Sequence, residues 1–211
     1  SNDFGGTEEN PIPGDILFTG GASFVDNRAG GHGGAVYNVE KMTLSPGSGQ
    51  EILFRGNTDS TGANAVYMAT GSSLTVDGAG RVVFDDPLAF EDATPSLRKS
   101  GDGTLLLNAS MDGMLGTVGI EGGVTRVANT WNIGNTVTVT GGTLELPRFS
   151  FSAKDDAKGI PGGKLTLAGG TLVTNTGQIF TTALNAAGDN TDIGGVKLSS
   201  DNWDFQSGVV S

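Results

Sequence analysis

A phrase of aliphatic and threonine residues broken by paired glycines constrains this chain most, because it recurs. From Gly101 to Leu146 the sequence reads GDGTLLLNASMDGMLGTVGIEGGVTRVANTWNIGNTVTVTGGTLEL. Alternating β-branched and polar residues, as in Thr136–Thr140, describe strands that bury one face. Paired glycines supply turn conformations that other residues resist. Gly163–Thr174 repeats the phrase as Leu-x-Leu followed by Gly-Gly-Thr-Leu, and the glycine pairs at Gly122, Gly141 and Gly169 lie 19 and 28 residues apart. Such intervals suit a solenoid coil of roughly 20 residues with insertions at its corners, so that about nine or ten coils would use the chain. A β-sandwich also uses short strands, but does not readily explain the recurring Gly-Gly-x-Leu phrase. No segment shows a sustained helical apolar period. The reading is all-β: a right-handed parallel β-helix with loop insertions.

In a β-helix, residues at one coil position stack in columns. Large apolar residues such as Phe18, Phe24, Phe54 and Val83 are expected inside. Asn27, Asn38 and Asn57 are expected to form a corner ladder, in which stacked amides bond to turns and to each other. Residues 1–13, with Pro11 and Pro13, read as an extended lead-in or cap, and 14–211 as one domain. Further strands are expected at Ala65–Met68, Ile179–Leu184 and Val196–Leu198. Asp85–Ser100 and Pro147–Gly163 read as projecting loops, and the segment around Trp203 and Phe205 as a polar tail.

Among 211 residues, 36 are glycine and none is cysteine, so disulfides, thiolate metal sites and cysteine catalysis are excluded. A net charge of −11 argues against nucleic acid and anionic lipid, which require clustered Lys and Arg. It suits a soluble exported protein, or one with a cationic partner.

Two features resemble autotransporter passenger domains. Gly101, Gly103, Thr104, Leu105 and Leu107, followed by Val139, Gly141, Gly142, Thr143, Leu144 and Leu146, resemble the passenger-associated transport repeat. Gly-Gly-Ala at Gly20, Gly21, Ala22 and at Gly33, Gly34, Ala35, alternating with Phe-x-x-Asn at Phe24–Asn27 and Phe54–Asn57, resembles the repeats of polymorphic outer-membrane proteins. Arg81–Leu88 (RVVFDDPL) resembles a phrase that commonly follows them. The resemblance implies a bacterial cell-surface or secreted passenger, exported through its own C-terminal outer-membrane barrel. Residues 101–146 would then support folding and secretion. It makes the chain a piece of a longer passenger, its signal peptide and barrel lying elsewhere. The implied function is non-catalytic adhesion to a host-surface protein or glycan, without metal or cofactor. A polysaccharide lyase or hydrolase on the same scaffold, and a structural spacer self-associating through exposed coil ends, are the alternatives.

For the enzymatic alternative, Asp85, Asp86, Glu91 and Asp92 are the carboxylates to weigh, as a hydrolytic pair or a calcium site beside Arg81 or Arg98. Neighbouring strand residues point to opposite faces, so Asp85 and Asp86 converge only across a turn. His32, in GGHGG, reads as a solvated corner rather than a catalytic base. Asp77, Asp102 and Asp112 precede glycines without the spacing of a calcium loop, and read as turn residues. Asn108-Ala109-Ser110 matches a glycosylation acceptor by chance. Thr136, Thr138 and Thr140 suit any pleated solvent face, and an ice-binding rank would need them repeated in every coil.

Overall fold

The computed structural model describes residues 14–129, 131–147, 149–152, 154–158 and 162–174, with strands Ile179–Phe180, Ala183–Ala187 and Trp203–Ser207. It is a parallel β-solenoid of short strands. One long sheet stacks Ile16–Phe18, Lys41–Leu44, Ser73–Val76, Ser96–Lys99, Thr117–Ile120, Thr136–Val139 and Lys164–Leu167, all parallel. A second stacks Ala22–Val25, Glu51–Arg55, Arg81–Phe84, Thr104–Leu107, Val124–Val127, Thr143–Leu146 and Thr171–Thr174. A third face is made by Val36–Asn38, Val66–Met68 and Leu88–Phe90, and further along by Trp131–Ile133 with Phe149–Phe151. The right-handed turn expected of the chain is the hand that parallel crossovers take.

Seven coils are present among the described residues. Coil length varies as corner insertions would require: Phe24, Phe54 and Phe84 are 30 residues apart, whereas Thr125 and Leu144 are 19 apart. The extra residues form corner loops, including a small hairpin of Thr58–Asp59 with Gly62–Ala63.

The interior is built from columns. Met42, Leu74, Leu97, Val118, Val137 and Leu165 follow one another on the first sheet, and Ile52, Val82, Leu105, Thr125, Leu144 and Leu172 on the second. Phe24 stacks on Phe54 and Phe54 on Phe84, each at 4.6 Å between ring centroids. Phe18 meets Phe24 edge-on at 5.2 Å. Val83 is buried, at 6 % exposure, but stands outside the main interior cluster. Register places it in an outer column between Leu53 and Leu106, while its neighbours Val82 and Phe84 point inward.

The Gly-Gly-Thr-Leu phrase has a steric cause. Gly80, Gly103, Gly123, Gly142 and Gly170 each precede a strand of the second sheet and stack along one corner. A Cβ on Gly103 would lie 2.1 Å from the Gly80 carbonyl oxygen, and one on Gly123 2.2 Å from that of Gly103. Threonine follows where an outward polar residue opens the strand, and leucine where the next side chain turns inward. Thr104, Thr143 and Thr171 are half-buried, whereas Leu105, Leu144 and Leu172 are buried.

Two expected loops contain strands. Asp85–Ser100 supplies Leu88–Phe90 to the third face and Ser96–Lys99 to the first sheet. Pro147–Gly163 begins with Phe149–Phe151 and includes a turn of 3-10 helix at Asp156–Lys158. Beyond Thr174 the strands reverse: Ile179–Phe180 and Ala183–Ala187 pair antiparallel to the last coil, and Trp203–Ser207 antiparallel to Ala183–Ala187. The expected polar tail therefore carries a strand, and Val196–Leu198, like the lead-in 1–13, lies outside the described residues.

Candidate functional site

The chain contains two tyrosines and one histidine, and the fold brings all three together on the third face. Val36–Asn38 and Val66–Met68 run in register, with Val36, Asn38, Val66 and Met68 buried. The alternate residues, Tyr37 and Tyr67, therefore face outward as direct neighbours. Their ring centroids are 5.6 Å apart. The His32 ring stacks on Tyr67 at 4.4 Å and 15°. The histidine expected as a solvated corner is thus half-buried against an aromatic ring.

Glycine and one carboxylate hold that geometry. Gly33 has φ of 69°, and a Cβ there would lie 2.2 Å from the Val36 carbonyl oxygen. A Cβ on Gly34 would stand 2.4 Å from the Asn64 carbonyl oxygen. Only glycines let the His32 loop lie this close to the neighbouring coil. Asp59 then ties the loop to that coil. Its Oδ1 accepts the Thr61 amide at 2.7 Å and the Thr61 hydroxyl at 2.6 Å. Its Oδ2 accepts the Asn64 amide nitrogen at 2.8 Å and the Gly33 backbone amide at 3.2 Å. Burial alone would raise the Asp59 carboxyl, but donors from Thr61, Asn64 and Gly33 outweigh it and hold it below its ordinary value.

Past Tyr67 the column becomes small. Its register partner on the next strand is Ala89. Gly113 follows, accepting the Phe90 amide at 2.9 Å, and a Cβ on it would stand 3.5 Å from the Ala89 Cα. Gly113 is exposed and Ala89 half-buried, so two aromatic rungs give way to a shallow shelf.

The other candidate residues are spent on structure. Asn27 donates to the Asn57 side-chain oxygen at 2.8 Å, as the expected ladder requires. The next rung is Asp86, not Asn38: its carboxylate accepts Gly56 N at 2.9 Å, Asn57 N at 2.8 Å and Asn57 Nδ2 at 2.8 Å. Asn38 sits at another corner, donating to the Ser73 carbonyl at 3.0 Å. Asp85 turns outward and accepts Asn108 Nδ2 at 2.7 Å, which also occupies the side chain of the glycosylation-like triplet. Glu91 accepts the Thr70 backbone amide at 2.7 Å, and Asp92 accepts the Thr70 hydroxyl at 2.7 Å, with the Glu91 carboxylate 3.1 Å from the same hydroxyl. Arg81 pairs with Glu51, and Arg98 with Glu121 at 2.5 Å. Of the four carboxylates weighed for catalysis, Glu91 and Asp92 thus meet at Thr70, while Asp85 and Asp86 bind different partners, Asn108 and Asn57. Among the described residues no group of three His, Asp or Glu side chains is placed to hold a metal. The Thr138 column runs through Gly119 and Arg98, which breaks any regular threonine rank.

Sequence reasoning missed one buried charge. Lys99 occupies the interior column between Val76 and Ile120 and is 1 % exposed. Its ammonium donates to the carbonyls of Ser100, Gly101 (2.8 Å) and Gly122 (3.3 Å), solvating the glycine corner from inside. Desolvation pushes its pKa down, partly offset by Asp102 and Asp77.

No family model, curated protein or solved structure matches this chain.

Proposed function

We propose that this chain is a non-catalytic segment of an autotransporter passenger, displayed on a bacterial surface or secreted, that acts in adhesion or host interaction. The observation carrying the adhesive role is the gathering of His32, Tyr37 and Tyr67 on one outer face beside the polar Thr58–Ala63 hairpin. Tyrosine offers rigid contact area with a polar tip, while Gly, Ser and Asn add adaptable hydrogen bonding, the composition of many recognition surfaces. The autotransporter assignment rests on the two sequence resemblances. The stacked corner glycines give the passenger-type phrase in Gly101–Leu146 a physical role: from Gly103 through Gly123 to Gly142 it encodes two coil-to-coil steps, which suits a segment that supports folding and secretion.

A broad glycan array, read with and without calcium for both retention and bond cleavage, tests this. Selective retention without cleavage is the expected result. Cleavage would overturn the reading and return attention to Asp85, Asp86, Glu91 and Asp92.

A further inference from the structure

We infer that the Asp112–Gly113 peptide is a site of spontaneous backbone modification, where the aspartate side chain closes a succinimide ring that reopens as isoaspartate. The inference goes beyond the adhesive reading and does not depend on it. The side-chain carbon of an aspartate is open to attack by the next backbone nitrogen when glycine follows, because glycine has no Cβ to obstruct the approach. A new N–C bond forms, and the carboxyl hydroxyl leaves with the amide proton as one water. A second water then reopens the ring. Opening at the main-chain carbonyl gives isoaspartate, with the side-chain methylene now part of the backbone. No oxidant, cofactor or partner is required.

The fold selects among three pairs with the same local chemistry: Asp77-Gly78, Asp102-Gly103 and Asp112-Gly113. Ring closure swings the aspartate side chain onto the following nitrogen, so the intervening peptide must turn. Gly103 is buried, its amide donates to the Gly78 carbonyl at 2.8 Å, and a Cβ there would lie 2.1 Å from the Gly80 oxygen. The Asp77 peptide is pinned from both ends. Asp77 N donates to the Leu44 carbonyl at 2.9 Å, and Gly78 O receives the Gly103 amide. Gly78 itself lies so close to Pro46 that a Cβ would stand 2.2 Å from the proline oxygen. Asp112 and Gly113, by contrast, are both exposed in a turn closed by Met114 N on the Met111 carbonyl at 3.0 Å. Among the described residues the Gly113 amide donates to no acceptor, which leaves its nitrogen open to react. What hangs on this turn is buried. Met111 and Met114 are each 1 % exposed in the core, and the Gly113 carbonyl receives the Phe90 amide at 2.9 Å. A methylene inserted into the main chain between the two methionines would lengthen the turn and loosen both attachments.

The test incubates the intact chain at neutral pH and body temperature and follows all three pairs by peptide mapping, with electron-transfer fragmentation to separate aspartate from isoaspartate. Methylation by a protein isoaspartyl methyltransferase with S-adenosylmethionine gives an independent count. In the folded chain, product is expected at Asp112. Asp77 and Asp102 should lag by at least about tenfold, for which about 1.4 kcal/mol of added barrier suffices. The chain unfolded in guanidinium should convert all three at similar rates, since only the local sequence then acts. Hydrogen exchange at the Phe90 and Met114 amides should quicken in the aged chain. Asp112→Glu, whose longer side chain closes a ring far more slowly, should stay unmodified and keep that protection. The inference is overturned if Asp77 or Asp102 converts as fast as Asp112 in the folded chain, or if Asp112 converts only after unfolding. It is equally overturned if the unfolded chain shows the same preference for Asp112, or if Asp112→Glu loses the same protection on ageing.

Discussion

At the scale of single residues, two charged groups report on the fold through pH. The Asp59 carboxyl is held below its ordinary value of 3.8, so the unfolded chain binds its proton more readily than the native one. Its stabilising contribution is complete above 3.8 and disappears as pH falls through the lowered native value. Asp59→Asn should therefore melt below wild type at neutral pH, with the gap narrowing in acid below 3.8; a constant gap in thermal melts would contradict this. Lys99 shifts in the same direction for a different reason, because burial disfavours its charged form. Its native pKa lies below 10.5, so between the two values the unfolded chain binds more protons and stability rises with pH. Wild-type stability should climb relative to Lys99→Met as pH approaches 10.5, measured as the difference in melting temperature.

At the scale of elements, the stacked glycines separate two costs that sequence alone merges. Gly103 would place a Cβ 2.1 Å from a backbone oxygen that cannot swing aside, so Gly103→Ala overpacks the corner and should lose about 1–3 kcal/mol in denaturant unfolding. Gly49, with φ of 76° and nothing within 4 Å of an added Cβ, bears only backbone strain. Gly49→Ala should cost about 1–2 kcal/mol. The comparison explains what was legible in the sequence. Gly-Gly-Thr-Leu could be read because its turn, its outward threonine and its inward leucine are all local. Arg81–Phe84 could be read as a strand but not for its faces, because three successive apolar residues carry no alternation, and only register sets Val83 apart from the inward Val82 and Phe84. Pro87 and Pro95 concealed the strands between and beyond them, since both sit at corners that leave Leu88–Phe90 and Ser96–Lys99 intact. The Asn ladder was foreseen in kind, but a carboxylate accepts the same corner amides, so Asp86 takes the rung expected for Asn38.

At the scale of the whole molecule, the solenoid converts distance along the chain into adjacency. His32 and Tyr67 belong to different coils and meet only because the third-face strands are in register. No local pattern could have revealed that stack, and the GGHGG segment read by itself is an ordinary turn. The same stacking engages Asp85 and Asp86 with Asn108 and Asn57, and brings Glu91 and Asp92 together at Thr70. A scaffold of this kind leaves its outer faces available for contact, and the third face concentrates the aromatic residues with polar tips. The most direct measurement is retention of the fluorescently labelled chain on a broad glycan array, beside a folded Tyr37→Ser/Tyr67→Ser variant. The account predicts saturable retention of wild type that the double substitution abolishes. Equal retention of the two, or none of wild type, would contradict it.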